Sequence, residues 1–240
     1  MQRLFISDLH LDEKRPEILR AFFHFMETRA RAADELYILG DFFEMWVGDD
    51  DDSDLAQQVA AALRALTESG TDLYLMHGNR DFLLGDDLCK AVGATLLPDP
   101  FQLELAGQPT LLMHGDSLCI DDPQYQQFRA MVRSPAWQQE AMSKSLEERR
   151  ALARQLRMAS NEANSNKAAD IMDVNPAEVQ RQMLDYKCLR LIHGHTHRPQ
   201  RHHIDLAGES AERIVLGDWD SQGWVLDVRD DVIDLQHFPL

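Results

Sequence analysis

Six short apolar runs punctuate the chain, and each is closed by glycine or a small polar residue. "LFIS" (4–7) leads into Asp8-Leu9-His10, "ELYIL" (35–39) into Gly40-Asp41, and "DLYLM" (72–76) into His77-Gly78-Asn79-Arg80-Asp81. "TLLM" (110–113) leads into His114-Gly115-Asp116, "LRLI" (189–192) into His193-Gly194-His195, and "RIVL" (213–216) into Gly217-Asp218. Runs this short, continuously apolar and bounded by glycine, predict strands buried on both faces. Residues 15–33 and 54–69 instead carry apolar residues at three-to-four spacing and predict helices between the early strands. The alternation predicts an α/β fold with a layered sheet. The tail (222–228, then 231–238) reads as an antiparallel strand pair, and 101–113 as another.

Residues 121–182 break this rhythm. They have few β-branched runs and many helix formers, and predict a helical insertion between two strands. Ser134-Pro135 fits a helix cap followed by proline at the first helical position. Phe128, Met131, Val132 and Trp137 fit core packing or a greasy slot, with core the default. "GDDDDSD" (48–54) reads as a solvated loop and helix cap.

Composition narrows the partners. Among 240 residues the formal net charge is −17, a surface that repels nucleic acid backbones. Cys89, Cys119 and Cys188 are scattered and odd in number, which predicts reduced thiols rather than a disulfide framework. The N-terminus lacks the apolar core of a signal peptide, and no apolar stretch reaches the roughly 18 residues of a transmembrane helix. A soluble protein, able to attach to a membrane surface and without an obligate protein partner, is expected.

Five strand ends carry candidate metal ligands: Asp8 and His10; Asp41; Asn79; His114; His195 and His197. In open α/β sheets ligands gather beyond the carboxyl ends of strands. On an extended chain, residues i and i+2 point the same way, so Asp8 with His10, and His195 with His197, are expected to reach one ion together. The donors are nitrogen and oxygen with no thiolate, which suits Mn²⁺, Fe²⁺ or Zn²⁺. Seven ligands exceed one tetrahedral site, so two ions with Asp41 as the bridge are expected. "LMHGN" (75–79) and "LMHGD" (112–116) are near-duplicates, and spacing alone does not choose between His77 and His114.

The ordered pattern Asp8-x-His10, Gly40-Asp41-x-x-Glu44, Gly78-Asn79-Arg80-Asp81, His114-Gly115-Asp116 and Gly194-His195-Thr196-His197 resembles the calcineurin-like metallophosphoesterases. The resemblance implies a two-sheet sandwich flanked by helices. It assigns Asp8, His10, Asp41 and His197 to one metal and Asp41, Asn79, His114 and His195 to the other, leaving His77 and His193 as supporting or buried histidines.

Arg80 stands where many members of that superfamily have a proton-donating histidine. Guanidinium stays charged and clamps phosphate well, but it is a poor general acid. A leaving group that needs no proton is therefore expected, as in pyrophosphate cleavage; a monoesterase using Asp81 as its acid is the alternative. In the insertion, Lys144, Arg149, Arg150, Arg154, Arg157 and Lys167 outnumber the four glutamates, which suggests a phosphate-rich ligand. Ser160, Asn164 and Lys167 share one helical face.

Longer strings, "FISDLHL", "ILGDFFEMWVGDD", "LMHGNRDFLLG" and "IHGHTHRP" among them, resemble the branch that hydrolyses UDP-2,3-diacylglucosamine in lipid A biosynthesis. That resemblance implies a helical lid over 121–182, two Mn²⁺ ions, water attack on the α-phosphorus, and work at the cytoplasmic face of a bacterial inner membrane. It assigns substrate contacts to Asn79, Arg80, Asp122, Ser160, Asn164, Lys167 and His195, with catalysis resting on Asn79, Arg80 and His195. Another phosphoesterase acting on a soluble nucleotide, or a metal-free binding module, are the alternative readings on the same scaffold.

Overall fold

The structure is a computed structural model. It describes residues 1–160 and 173–240 in full, and 161–165 by their backbone. The chain begins β1 (Gln2–Ile6), α1 (Pro16–Glu27), β2 (Glu35–Leu39), α2 (Asp54–Glu68), β3 (Asp72–Met76), α3 (Asp86–Val92) and β4 (Ala94–Leu97). An antiparallel pair follows, β5 (Phe101–Leu105) and β6 (Gln108–Met113), then four helices: α4 (Pro123–Val132), α5 (Pro135–Met142), α6 (Leu146–Ser165) and α7 (Pro176–Asp185). The last strands are β7 (Arg190–His193), β8 (Gln200–Leu206), β9 (Glu209–Val215), β10 (Gln222–Arg229) and β11 (Val232–Pro239).

Two mixed sheets result. One runs β11-β10-β1-β2-β3-β4, with β1 to β4 parallel; the other runs β5-β6-β7-β9-β8, with β6, β7 and β9 parallel. They face each other across an apolar layer that includes Phe5, Tyr37, Leu39, Leu112, Ile192, Ile214 and Leu226. Strands buried on both faces explain the near-continuous apolar runs. A second layer joins the first sheet to α1, α2 and α3 through Ile18, Phe22, Val59, Leu63 and Val92. A third joins Leu111, Met113 and Leu191 of the second sheet to Val179 and Met183 of α7. Truncating a fully buried residue such as Ile192 to alanine costs about 2–5 kcal/mol.

The predicted helical stretch 121–182 thus divides into two packing environments. α7 belongs to the layer behind the second sheet, whereas α4 to α6 form the helical insertion beside the strand ends. Side chains start several of these helices: Asp122 accepts from the Tyr125 amide, Ser134 from Trp137 and Asn175 from Ala177, each with proline next in sequence. The three cysteines are free and buried. No helix among the described residues is long and apolar enough to cross a membrane.

Candidate metal centre

All five candidate ligand-bearing loops leave the carboxyl ends of β1, β2, β3, β6 and β7, on one rim of the sandwich. The loops are not extended, as the i, i+2 expectation supposed. Asp8, His10, Asp41, His195 and His197 all have positive φ, between 48° and 68°. Asp8 and His10 converge because each sits in the left-handed region, which costs a non-glycine residue roughly 1–2 kcal/mol. His195 and His197 do not share one group as the spacing predicts, since His197 joins Asp8 and His10 while His195 joins Asp41 and His114. Five such residues at one rim mark a site whose geometry the fold holds against local preference.

Two glycines permit the convergence. A Cβ on Gly78 would lie 2.1 Å from the Asp41 amide nitrogen, and one on Gly194 would lie 2.2 Å from Asp8 Oδ2. The strand-end loops therefore touch backbone to ligand. Asp81, fully buried, accepts from the Phe42 amide at 2.7 Å and the Gly78 amide at 2.6 Å, and so ties the Asp41 loop to the Asn79 loop. Burial and the neighbouring Asp41 raise its pKa. With both oxygens engaged inside the fold, Asp81 is a brace between loops and not the solvent-facing acid of the monoesterase alternative.

Among the described residues two groups have donor atoms close enough to hold an ion: Asp8, His10 and His197, and Asp41, His114 and His195. Asp41 stands between them, with Oδ2 3.9 Å from His10 Nε2 and Oδ1 3.6 Å from His114 Nε2. Asn79 joins the second group; its Oδ1 lies 3.0 Å from His114 Nε2 and 2.9 Å from His195 Nδ1. All seven sequence-predicted ligands thus come together. His77 does not: its Nε2 meets the Leu84 carbonyl at 2.5 Å, which separates it from its near-duplicate His114. His193 is buried, with Nδ1 against the Gly194 carbonyl, and burial pushes its pKa down to about 3.

Three of the four candidate ligand histidines are oriented as metal ligands are. His114 places Nδ1 2.9 Å from the Leu39 carbonyl, His197 places Nδ1 3.3 Å from Asp218, and His10 places Nδ1 3.1 Å from Glu44. Each turns Nε2 inward, the arrangement in which an outer partner fixes the tautomer and ring plane. The inward atoms crowd: His10 Nε2 and His197 Nε2 are 3.3 Å apart, and buried Asp8 Oδ1 has no hydrogen-bond partner. A cation answers both features, so the residues fit a divalent ion in each group.

Electrostatics agree. Burial opposes charge on Asp8, but His197 and the other imidazoles hold its carboxyl well below the usual range. Burial likewise opposes a charged His197, yet Asp218 and Asp8 lift it to about 10. His114 rises to about 8 against its own burial, through Asp41 and Asp116. His195 falls to about 4, mainly by burial and then by His114. At Asp8, His114 and His197 the neighbouring opposite charges overcome burial, and His195 is the exception.

Two cavities flank the centre and share Glu44, Arg80 and Arg157. The larger, about 310 Å³, runs beneath α4 to α6; Trp46, Phe82, Leu83, Phe128, Trp137 and Leu156 line it, with Asn79 and Ser160 among its polar residues. Phe128, Met131 and Trp137 line this slot rather than the core that was the default expectation, whereas Val132 is buried. The smaller, about 300 Å³, is polar and contains His10, His197 and Asp218. Asp122 lines neither cavity; it caps α4. The side chains of Asn164 and Lys167 lie outside the described residues.

The basic residues of the insertion need a correction. Arg149 bonds the Val47 carbonyl at 2.6 Å and Asp50 at 2.7 Å, and Arg150 bonds Asp51 and Asp52. Lys144 pairs with Glu140 at 3.6 Å. The excess positive charge therefore meets the acidic run 50–52, which is not simply a solvated loop, although Ser53 does cap α2. Only Arg157 of these six reaches the cavity junction among the described residues, where it bonds Glu44.

Sequence reasoning gave no role to Asp99 and Asp116. Asp116 Oδ2 accepts from Tyr125 at 2.9 Å and Arg129 at 2.8 Å, with Arg133 at 3.4 Å, while Arg133 also donates to the Gly78 carbonyl at 3.1 Å. This network fastens α4 to the loop bearing Asn79. The aspartate after His114-Gly115 was the available signal, and Tyr125, Arg129 and Arg133 at helical spacing were the other.

Comparison with known proteins agrees with this geometry. The calcineurin-like phosphoesterase family model matches residues 1–199. A UDP-2,3-diacylglucosamine hydrolase of Marinobacter nauticus is 52% identical over 100% of this chain and 99% of its own length. One from Chromohalobacter salexigens is 54% identical, covering 96% of this chain and 94% of its own. One from Pseudomonas aeruginosa is 50% identical over the whole of both chains. The solved structure of an archaeal phosphodiesterase covers 100% of both chains with a TM-score of 0.50 at 12% identity, a likeness of fold. Strand-end ligands, two-sheet architecture and end-to-end similarity converge: the chain belongs to the calcineurin-like phosphoesterases.

Proposed function

We propose that this protein hydrolyses UDP-2,3-diacylglucosamine to 2,3-diacylglucosamine 1-phosphate and UMP, with two Mn²⁺ ions held by Asp8, His10, Asp41, Asn79, His114, His195 and His197. Full-length relatives that carry the hydrolase name support the activity. The observation that carries the substrate class is the apolar slot opening onto the metal centre. A soluble nucleotide has no use for a cavity lined by Trp46, Phe82, Phe128 and Trp137, whereas acyl chains gain about 25 cal/mol per Å² of apolar surface buried there.

When bound, two divalent ions supply a water made nucleophilic near neutral pH and neutralise charge on the phosphoryl group. The chain's own residues do the rest. Arg80 has a buried Nε without a hydrogen-bond partner and sits where both cavities meet, so it clamps phosphoryl oxygens. Its backbone amide donates to Asp41 Oδ1 at 2.8 Å and keeps in place the carboxylate that would serve both ions. Arg157, held by Glu44, adds a second guanidinium. His195 and Asn79 orient the phosphate between the two groups. The sugar phosphate leaves as a stable anion, so the absence of a histidine at position 80 costs nothing. Helices α4 to α6 act as a lid that excludes water from the slot, with Ser160 lining it and Asp122 in a supporting place at the start of α4. Asn164 and Lys167, which the family resemblance assigns to the head group, lie outside the described residues. Acyl chains bring the enzyme to the cytoplasmic face of the inner membrane as a peripheral protein.

The test is hydrolysis of the diacylated substrate in H₂¹⁸O with Mn²⁺ and with chelator. Metal-dependent turnover with label in UMP is expected. Equal turnover of unacylated UDP-glucosamine, or label in the sugar phosphate, contradicts the reading.

A further inference from the structure

We propose that the polar cavity beside Asp218 is the seat of the nucleoside monophosphate half of the substrate, with Asp12, Arg15 and Asp220 recognising uridine. The inference rests on the proposed function and adds a binding subsite to it. A pyrophosphate diester has two halves that leave the cleaved bond in different directions. Here two cavities meet at Glu44, Arg80 and Arg157, beside the candidate metal centre. One is apolar and suits acyl chains. Uridine fits its mostly apolar walls poorly, because each ribose hydroxyl or uracil polar group left there without a partner costs about 1–3 kcal/mol.

The other cavity offers the partners that uridine lacks in the slot. Asp12, Arg15 and Asp220 line it together with His10 and His197 of the metal groups, and it measures about 300 Å³, at the lower end of the roughly 300–1,000 Å³ range of small-ligand sites. Carboxylates accept from a ribose diol, as acidic residues do in dinucleotide sites. Uracil presents one N–H donor between two carbonyl acceptors, a pattern that a carboxylate and a guanidinium together satisfy. The arm is built in advance: Arg15 Nε donates to Glu17 at 2.7 Å, while Arg15 Nη2 donates to the Asp220 carboxylate at 3.0 Å and its carbonyl at 3.3 Å. Asp220 remains 66% exposed, open to a ligand. Arg80 and Arg157 stand at the inner end, where the phosphate must lie.

Product inhibition of the Mn²⁺-loaded full chain separates the two halves. Asp220→Ala and Asp12→Ala should each weaken inhibition by UMP about tenfold, the loss of one charge-assisted hydrogen bond, and leave inhibition by 2,3-diacylglucosamine 1-phosphate unchanged. Phe128→Ala should do the reverse. Wild-type turnover with UMP inhibition unmoved in both aspartate variants overturns the subsite alone. A wild-type enzyme that forms no UMP from the diacylated substrate overturns the proposed function and the subsite with it.

Discussion

The strand-end loops and the helical cover α4 to α6 meet at one site but are held by different forces. Asp8, His10, Asp41, His195 and His197 sit in left-handed backbone conformations, locked by close glycine contacts and the buried Asp81 brace. The cover consists of ordinary capped helices fastened by charge, through Arg149 and Arg150 to residues 50–52, Arg157 to Glu44, and Arg129 and Arg133 to Asp116. Ligand geometry is thus built into the fold, whereas the cover rests on ion pairs that reach from the helices to the loops beneath. In the proposed function, chemistry that tolerates no displacement falls to the first, and recognition of a long flexible ligand to the second.

The sharpest way to break the contrast is at a ligand. Asn79→Ala should lower kcat/KM by about a thousandfold or more, several kcal/mol of lost transition-state stabilisation, with circular dichroism and urea midpoint nearly unchanged. A comparable collapse of stability would mean that the loop is held by the side chain and not by the backbone frame. A smaller effect is expected in the cover: Phe128→Ala should raise KM for the diacylated substrate about tenfold with kcat preserved, as truncating a buried aromatic contact removes a few kcal/mol at most. Steady-state kinetics at varied substrate decide between this and a kcat effect.

Smaller still are the ion pairs. Arg149 is 4% exposed and Asp50 59% exposed. Arg149→Ala should therefore destabilise the docking of α6 by about 1–3 kcal/mol, and Asp50→Ala by less than about 1 kcal/mol. Hydrogen exchange along residues 146–160 checks the ranking; equal effects would show that the Val47 carbonyl contributes little. The last is a pH effect. Burial, then Asp116, lifts the Asp99 carboxyl to about 6, and neither of its oxygens has a hydrogen-bond partner. The folded state then holds the Asp99 proton more tightly than the unfolded chain does. Its contribution to stability is greatest in acid, declines as pH rises from about 4 to about 6, and is level above that. Asp99→Asn should flatten this decline and raise stability at pH 7 by about 1–3 kcal/mol, as read from urea midpoints across the range.

The same contrast explains what could be read from residues alone. The six apolar runs all coincide with strands, because strands buried on both faces leave a continuous signal. β4 and β8 escaped: "ATLL" is short, and "QRHHIDL" lies at a sheet edge with exposed polar positions. The ligand set was legible because each member follows a strand end; the reason given for its convergence was not, since left-handed φ at Asp8 and His10 leaves no pattern in residue types. In the cover, the surplus of arginine suggests a ligand, yet the partners of Arg149 and Arg150, Asp50, Asp51 and Asp52, lie about a hundred positions away. Periodicity within a helix carries no information about a counter-charge so distant in sequence. His77 and His114 are near-identical as strings; the family pattern favours His114, and the structure separates them because His77 is tied to the Leu84 carbonyl while His114 faces Asn79.

The proposed catalysis would need a cation in each donor group, with Asp41 standing between them. Anomalous diffraction from manganese-soaked crystals tests this most directly. Two peaks are expected, one bounded by Asp8, His10 and His197 and the other by Asn79, His114 and His195, with Asp41 touching both. A single peak, or none at this rim, would contradict the account.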